Sequence, residues 1–169
     1  MKDVGQSLGY QKELCILAFD HRGSFMSKLF GIKDRAPTPA ESAEVASYKD
    51  IVYEGFKKAL TQGVSREKAG ILVDEQFGSK ILEDAARSGV VFASPAEKSG
   101  QDEFDFEYGR EYGAHIDRFK PTFVKVLVRY NTEDDAALNR RQAERLKALS
   151  EFCQKSGRKF IFELLVPAT

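Results

Sequence analysis

The 169 residues are 42% apolar and 31% charged, with 26 basic residues set against 26 acidic ones. That length suits one domain with a sizeable core, and the cancelled charge leaves no net field to draw the chain onto nucleic acid or an acidic membrane. No apolar run approaches the roughly 20 residues of a membrane span and no signal-peptide pattern is present, so the expectation is a soluble, cytoplasmic protein.

Leu14–Phe19 reads as the first strand, followed by a loop and a short helix through Phe30. Thr38-Pro39-Ala40-Glu41 has the form of a capping box with proline in the first turn. It predicts a helix to about Gln62 that Gly63 stops. The apolar stripe of that helix is Val45, Tyr48, Val52, Phe56, Ala59 and Leu60. Ile71-Leu72-Val73 opens the second strand, ended by Asp74-Glu75-Gln76. Lys80–Arg87 is a helix closed by Gly89, and Val90-Val91-Phe92-Ala93 is the third strand, with Pro95 just past it. Asp102–Phe119 is expected to be helical despite Gly109 and Gly113. Phe123–Tyr130 is the fourth strand, Asp134–Lys155 an amphipathic helix stopped by Gly157, and Lys159–Val166 the fifth strand.

Strands alternating with helices, and rich in continuous apolar runs, indicate an α/β protein with a parallel sheet covered by helices. A doubly wound sheet and a (β/α)8 barrel both fit. A barrel takes about 250 residues, so residues 1–169 would form the N-terminal five strands and intervening helices of a single truncated TIM-type barrel. Its fifth strand would then lack a covering helix, and its edges would lie open to aggregation or domain-swapped pairing. A homo-oligomer is therefore one expectation.

Two apolar strands carry one charge each near the middle: Lys125 in the fourth and Glu163 in the fifth. Burying such a group costs several kcal/mol unless it is paired. Side chains alternate along a strand, so Phe123, Lys125, Leu127 and Arg129 share one face while Val124, Val126 and Val128 share the other. The all-valine face suits helices, and the charged face would point toward a barrel axis. Ile161, Glu163 and Leu165 likewise share the inward face of the fifth strand. In the first, Ile16, Ala18, Asp20 and Arg22 align, with Asp20 at the carboxyl end where ligands bind in this class.

Lys125 and Glu163 could be a structural ion pair or a lysine with a proton-transfer partner. Arg129 lies about 13 Å further along the strand, where it could end as a solvated charge or bind a phosphate or carboxylate bidentately. Asp74 and Glu75 after the second strand, and Glu97-Lys98-Ser99-Gly100 after the third, lie where barrel loops carry function, yet each also reads as a helix cap or solvated turn. His21 and His115 have no ligand spacing, so no metal is expected. His21, between Asp20 and Arg22, is the one suited to a polar role. Cys15 and Cys153 are expected as buried or half-buried free thiols. No GxGxxG or GxxxxGK[ST] phosphate loop is present.

Longer segments carry a resemblance: Ile16-Leu17-Ala18-Phe19-Asp20-His21-Arg22-Gly23-Ser24-Phe25, Gly70–Gly78, Pro95–Phe104, Phe123–Asn131 and Phe162–Pro167. Over essentially the whole chain the sequence resembles a bacterial family of aldolase-like barrels, found alone or as the C-terminal half of 5-dehydro-2-deoxygluconokinase in inositol catabolism. More distantly it is similar to the class I tagatose- and fructose-bisphosphate aldolases. The resemblance implies a Schiff-base lyase, without added cofactor, acting on a phosphorylated keto sugar such as 6-phospho-5-dehydro-2-deoxygluconate. The products would be dihydroxyacetone phosphate and malonate semialdehyde. It implies catalytic roles for Asp20, Lys125 and Glu163 and a lysine after the third strand, matching Lys98. In such aldolases the imine forms on a lysine of a sixth strand. The sequence stops at Thr169, before any such strand, so the chain is expected to be inactive alone and to be part of a longer enzyme. The alternative is a non-catalytic sugar-phosphate-binding or regulatory domain associated with a carbohydrate kinase.

Overall fold

The computed structural model describes residues 9–168, so Thr169 lies outside it. Five parallel strands form one sheet: β1 (Cys15–Ala18), β2 (Ala69–Leu72), β3 (Val91–Pro95), β4 (Phe123–Arg129) and β5 (Lys159–Leu165). Their spatial order is their chain order, β1-β2-β3-β4-β5. A doubly wound sheet reverses its order at a switch point; this one never does. Instead the strands curl through 203° as a half-barrel, consistent with a partial TIM barrel.

The helices are α1 (Gly23–Leu29), α2 (Pro39–Thr61), α3 (Glu75–Ser88), α4 (Tyr112–Phe119) and α5 (Ala136–Ser156). The capping box opens α2 as its sequence predicts: the Glu41 N–H donates to Thr38 Oγ1 at 3.3 Å, and the Thr38 N–H to Glu41 Oε2 at 2.7 Å. Gly89 and Gly157 close α3 and α5 at φ of 70° and 71°, a left-handed conformation that glycine adopts without strain. No helix among the described residues is long and apolar enough to cross a membrane.

The alternation along β4 sorts as the sequence indicates. Val124, Val126 and Val128 are buried outward against Ile116 of α4 and Leu149 and Cys153 of α5. On the concave side Phe123 joins Leu72 and Ala93, with Ile16 and Ile161 packed around them. A second outer core sets Ile71, Val73 and Phe92 against Tyr53 and Phe56 of α2 and Ile81, Leu82 and Ala85 of α3. The fit between β2 and β3 is close: a Cβ on Gly70 would stand 2.9 Å from the Val91 carbonyl oxygen. Gly70→Ala must therefore spread the two strands, and should cost about 1–3 kcal/mol by urea denaturation. An unchanged midpoint would show that the sheet yields there.

Three expectations are corrected. The buried face of α2 is Val45, Lys49, Tyr53 and Phe56, while Tyr48 is exposed. Positions 45, 49 and 53 recur every four residues, and the inward row contains a lysine. The segment Asp102–Tyr108 is not helical: Glu97 and Phe106 form an antiparallel bridge, and the Lys98 N–H donates to the Asp105 carbonyl at 2.9 Å. Phe104 and Phe106, two residues apart, both enter the core, a spacing that extended chain satisfies and a helix does not. Gln142 of α5 holds this loop, accepting from the Phe104 N–H at 2.7 Å and donating to the Arg129 carbonyl at 2.9 Å. Finally, Cys15 is exposed, because it lies in the terminal strand of the sheet; Cys153 is buried as expected.

Candidate functional site

The strand register explains how charge gathers at the carboxyl end of the half-barrel. Lys125 of β4 pairs with Pro95 of β3 and with Ile161 of β5. Glu97 and Glu163 each lie two residues beyond those partners, hence on the same face and one step closer to the mouth. The lysine side chain, leaning along its strand, meets both. Its Nζ stands 3.0 Å from Glu97 Oε1, 3.1 Å from Glu163 Oε2 and 3.1 Å from Asp20 Oδ2, the last from the loop two residues beyond β1. Lys125 and Glu97 are buried, Asp20 is nearly so, and Glu163 is half exposed.

Burial alone would pull the Lys125 ammonium down, but Glu97 and Asp20 together outweigh it and raise its pKa to about 12. Burial pushes Glu97 above the usual carboxylate range against the pull of Lys125. A single ammonium serves three carboxylates, so Glu97, the most deeply buried of them, receives only a share of its charge and burial prevails there. Arg22 reinforces this corner. Its Nη1 donates to Glu107 Oε2 at 2.8 Å and its Nη2 to the Glu97 carbonyl at 2.8 Å.

These groups border a cavity of about 260 Å³. Arg129 and Lys98 line it, as do His21, Ser24 and Ser99. The Arg129 guanidinium is steered by a 2.5 Å bond from Nη1 to the Gln101 carbonyl. The face thus runs from a buried ammonium ringed by acids to a basic rim. Among the described residues no group of three or more His, Cys, Asp or Glu side chains is arranged to hold a metal ion; the Lys125 ammonium occupies the middle of the acid ring.

Against known proteins, the sequence matches one family model over residues 3–169, described as an uncharacterized protein conserved in bacteria (DUF2090). The chain belongs to the DUF2090 family. No curated protein matches it.

Of the residues the sequence singled out in this DUF2090 chain, Asp20, Lys125 and Glu163 meet directly, and Arg129, Lys98 and His21 border the same cavity. Asp74 does not reach it. β2 ends at Leu72, and Asp74 turns instead to cap α3, accepting from the Phe77 N–H at 2.9 Å, and to pair with the buried Lys49 of α2. Burial pushes Asp74 up and Lys49 down, and their contact opposes both shifts.

Glu97 and Arg22 stand in segments that the sequence marks without assigning them a role at the site, and Lys49 is not marked at all. The signal for Glu97 was present: Ala93, Pro95 and Glu97 continue one period-2 face once β3 is carried through its proline. Arg22 continues the inward row of Asp20 in the same way, and Lys49 stands four residues from Val45 and from Tyr53.

Proposed function

We propose that this cavity belongs to an aldolase-like lyase of the Schiff-base class, acting on a phosphorylated keto sugar. The substrate that the resemblance implies is 6-phospho-5-dehydro-2-deoxygluconate. The observation that carries this reading is the meeting of Asp20, Lys125 and Glu163, from three separate elements, at the carboxyl end of the strands. In it Asp20 and Glu163 move protons, the Lys125 ammonium stabilises negative charge developing on a substrate oxygen, and Arg129 with Lys98 binds the phosphate.

Lys125 itself is not the imine former in this reading. With a pKa of about 12, roughly one lysine in 10⁵ is a neutral amine at pH 7. The attacking amine would have to come from outside the five strands described, and these strands alone would bind the sugar without cleaving it. The same held ammonium also favours a second reading, a sugar-phosphate-binding regulatory domain associated with a carbohydrate kinase.

Competition separates the two. A lyase site binds its substrate and the phosphorylated cleavage product in one place, so dihydroxyacetone phosphate should displace the keto-sugar phosphate in calorimetric titrations. Arg129→Leu should weaken both by about tenfold or more, the worth of a charge-assisted pair. Substrate binding that dihydroxyacetone phosphate leaves untouched would favour the regulatory domain, and no binding of either would remove both readings. Borohydride should leave no adduct; a reduced adduct on Lys125 would overturn its assignment as a fixed cation.

A further inference from the structure

We propose that Lys49 is a positioning residue for this site: by gripping the backbone on both sides of Asp20, its ammonium sets the direction in which the Asp20 carboxylate meets Lys125. The proposal rests on the reading of the cavity as the functional site, but its test does not.

Lys49 is 2% exposed in the middle of α2, an unusual place for an ammonium. Its Nζ donates to the Phe19 carbonyl at 2.8 Å, to the His21 carbonyl at 3.1 Å and to Asp74 Oδ1. An ammonium has three donors, and these partners use all three. The Phe25 and Phe77 rings, with centroids 5.8 Å and 5.9 Å from Nζ, complete its surroundings.

The two carbonyls flank Asp20 directly. One ammonium bonded to both carbonyls ties down the backbone on either side of Asp20 and limits how far its Cα–Cβ direction can turn. β1 ends at Ala18, and past the bond from the Phe19 N–H to the Leu72 carbonyl (2.8 Å) Lys49 provides this grip. Asp74 in turn anchors Lys49 to the start of α3. The line of contact therefore runs from the α3 cap, through Lys49 and the backbone of Asp20, to the Asp20 carboxylate 3.1 Å from Lys125. The charged groups facing Lys125 are Asp20, Glu97 and Glu163, with Arg22 beside Glu97.

The sign of one measurement separates positioning from charge or from bulk stability. Removing a positive charge near the site would leave the Lys125 midpoint where it is or raise it, since repulsion falls. Letting the Asp20 carboxylate drift would lower it. In ¹³C NMR of lysine-labelled protein, the Lys125 midpoint in Lys49→Met should fall by about one pH unit, tenfold in acidity, toward the value in Asp20→Asn. Lys49→Gln also removes the positive charge but keeps an amide donor for the backbone carbonyls, so it should lower the midpoint in the same direction by less; it serves where Lys49→Met folds poorly. A midpoint that holds or rises in these variants overturns the role of Lys49. Binding of dihydroxyacetone phosphate by the unmodified protein decides the site reading separately.

Discussion

Asp74→Ala should cost about 3–5 kcal/mol, the penalty for leaving one member of a buried ion pair without its partner, together with the cap of α3, worth about 1 kcal/mol. Asp74 and Lys49 are 1% and 2% exposed, so water cannot take the place of either partner. Without Asp74, burial drives Lys49 further below its ordinary pKa. The unfolded chain would then bind the proton that the folded one does not, and stability rises with pH under that condition. The loss in Asp74→Ala should therefore be largest in acid and should shrink as pH rises toward the ordinary lysine range, measured by urea denaturation at several pH values. The pair as a whole need not stabilise the fold. A Lys49→Met/Asp74→Leu double variant should recover much of the loss, since apolar side chains of like volume often replace a buried ion pair at little cost. A double variant no better than Asp74→Ala would show that hydrogen bonds from Lys49 to the Phe19 and His21 carbonyls, rather than the pair, carry the stability.

What the sequence disclosed and what it hid follow from the range of the interactions involved. The inward face of β4 was legible because alternation is local: three valines on one side leave Lys125 and Arg129 on the other. Glu163 followed by the same rule in β5. The choice of barrel over doubly wound sheet was not legible from periodicity, since strand order is a long-range property; the uninterrupted order of the five strands decides it. The Asp102–Tyr108 segment misled because its extended form is imposed from afar, by Gln142 and by the bridge to Glu97. Lys49 was hidden for a related reason. A lysine within a helix reads as solvated until a carboxylate from another element, here Asp74, and two carbonyls from the end of β1 are found around it. Asp74 follows a strand, where a group facing the ligand and a helix cap are both legible, and the turn into α3 directs it to the cap.

Lys125→Met should remove the proposed binding of dihydroxyacetone phosphate and reshape stability at both ends of the pH scale. Because the folded-state pKa of Lys125 is raised from 10.5 to about 12, its contribution is complete below about pH 10.5 and is lost as pH rises through about 12. The variant should lack that alkaline loss. Near neutrality it faces a different cost, because Asp20, Glu97 and Glu163 are left without the cation they share. Glu163 is half exposed and can turn to water, so the destabilisation should stand near the lower end of the range for a broken buried pair, about 3 kcal/mol. Glu97 has no such exit. Deprived of the ammonium that opposed its burial, it should titrate at still higher pH, with the folded state holding a proton that the unfolded state gives up. Stability then falls as pH rises, so Lys125→Met should be closer to the unmodified protein at pH 5 than at pH 8. Glu97→Gln in the Lys125→Met background should flatten that difference, because a neutral amide needs no counter-charge. An equal loss at both pH values would show that Glu97 does not depend on Lys125, and that the acid ring is held together by Arg22 instead.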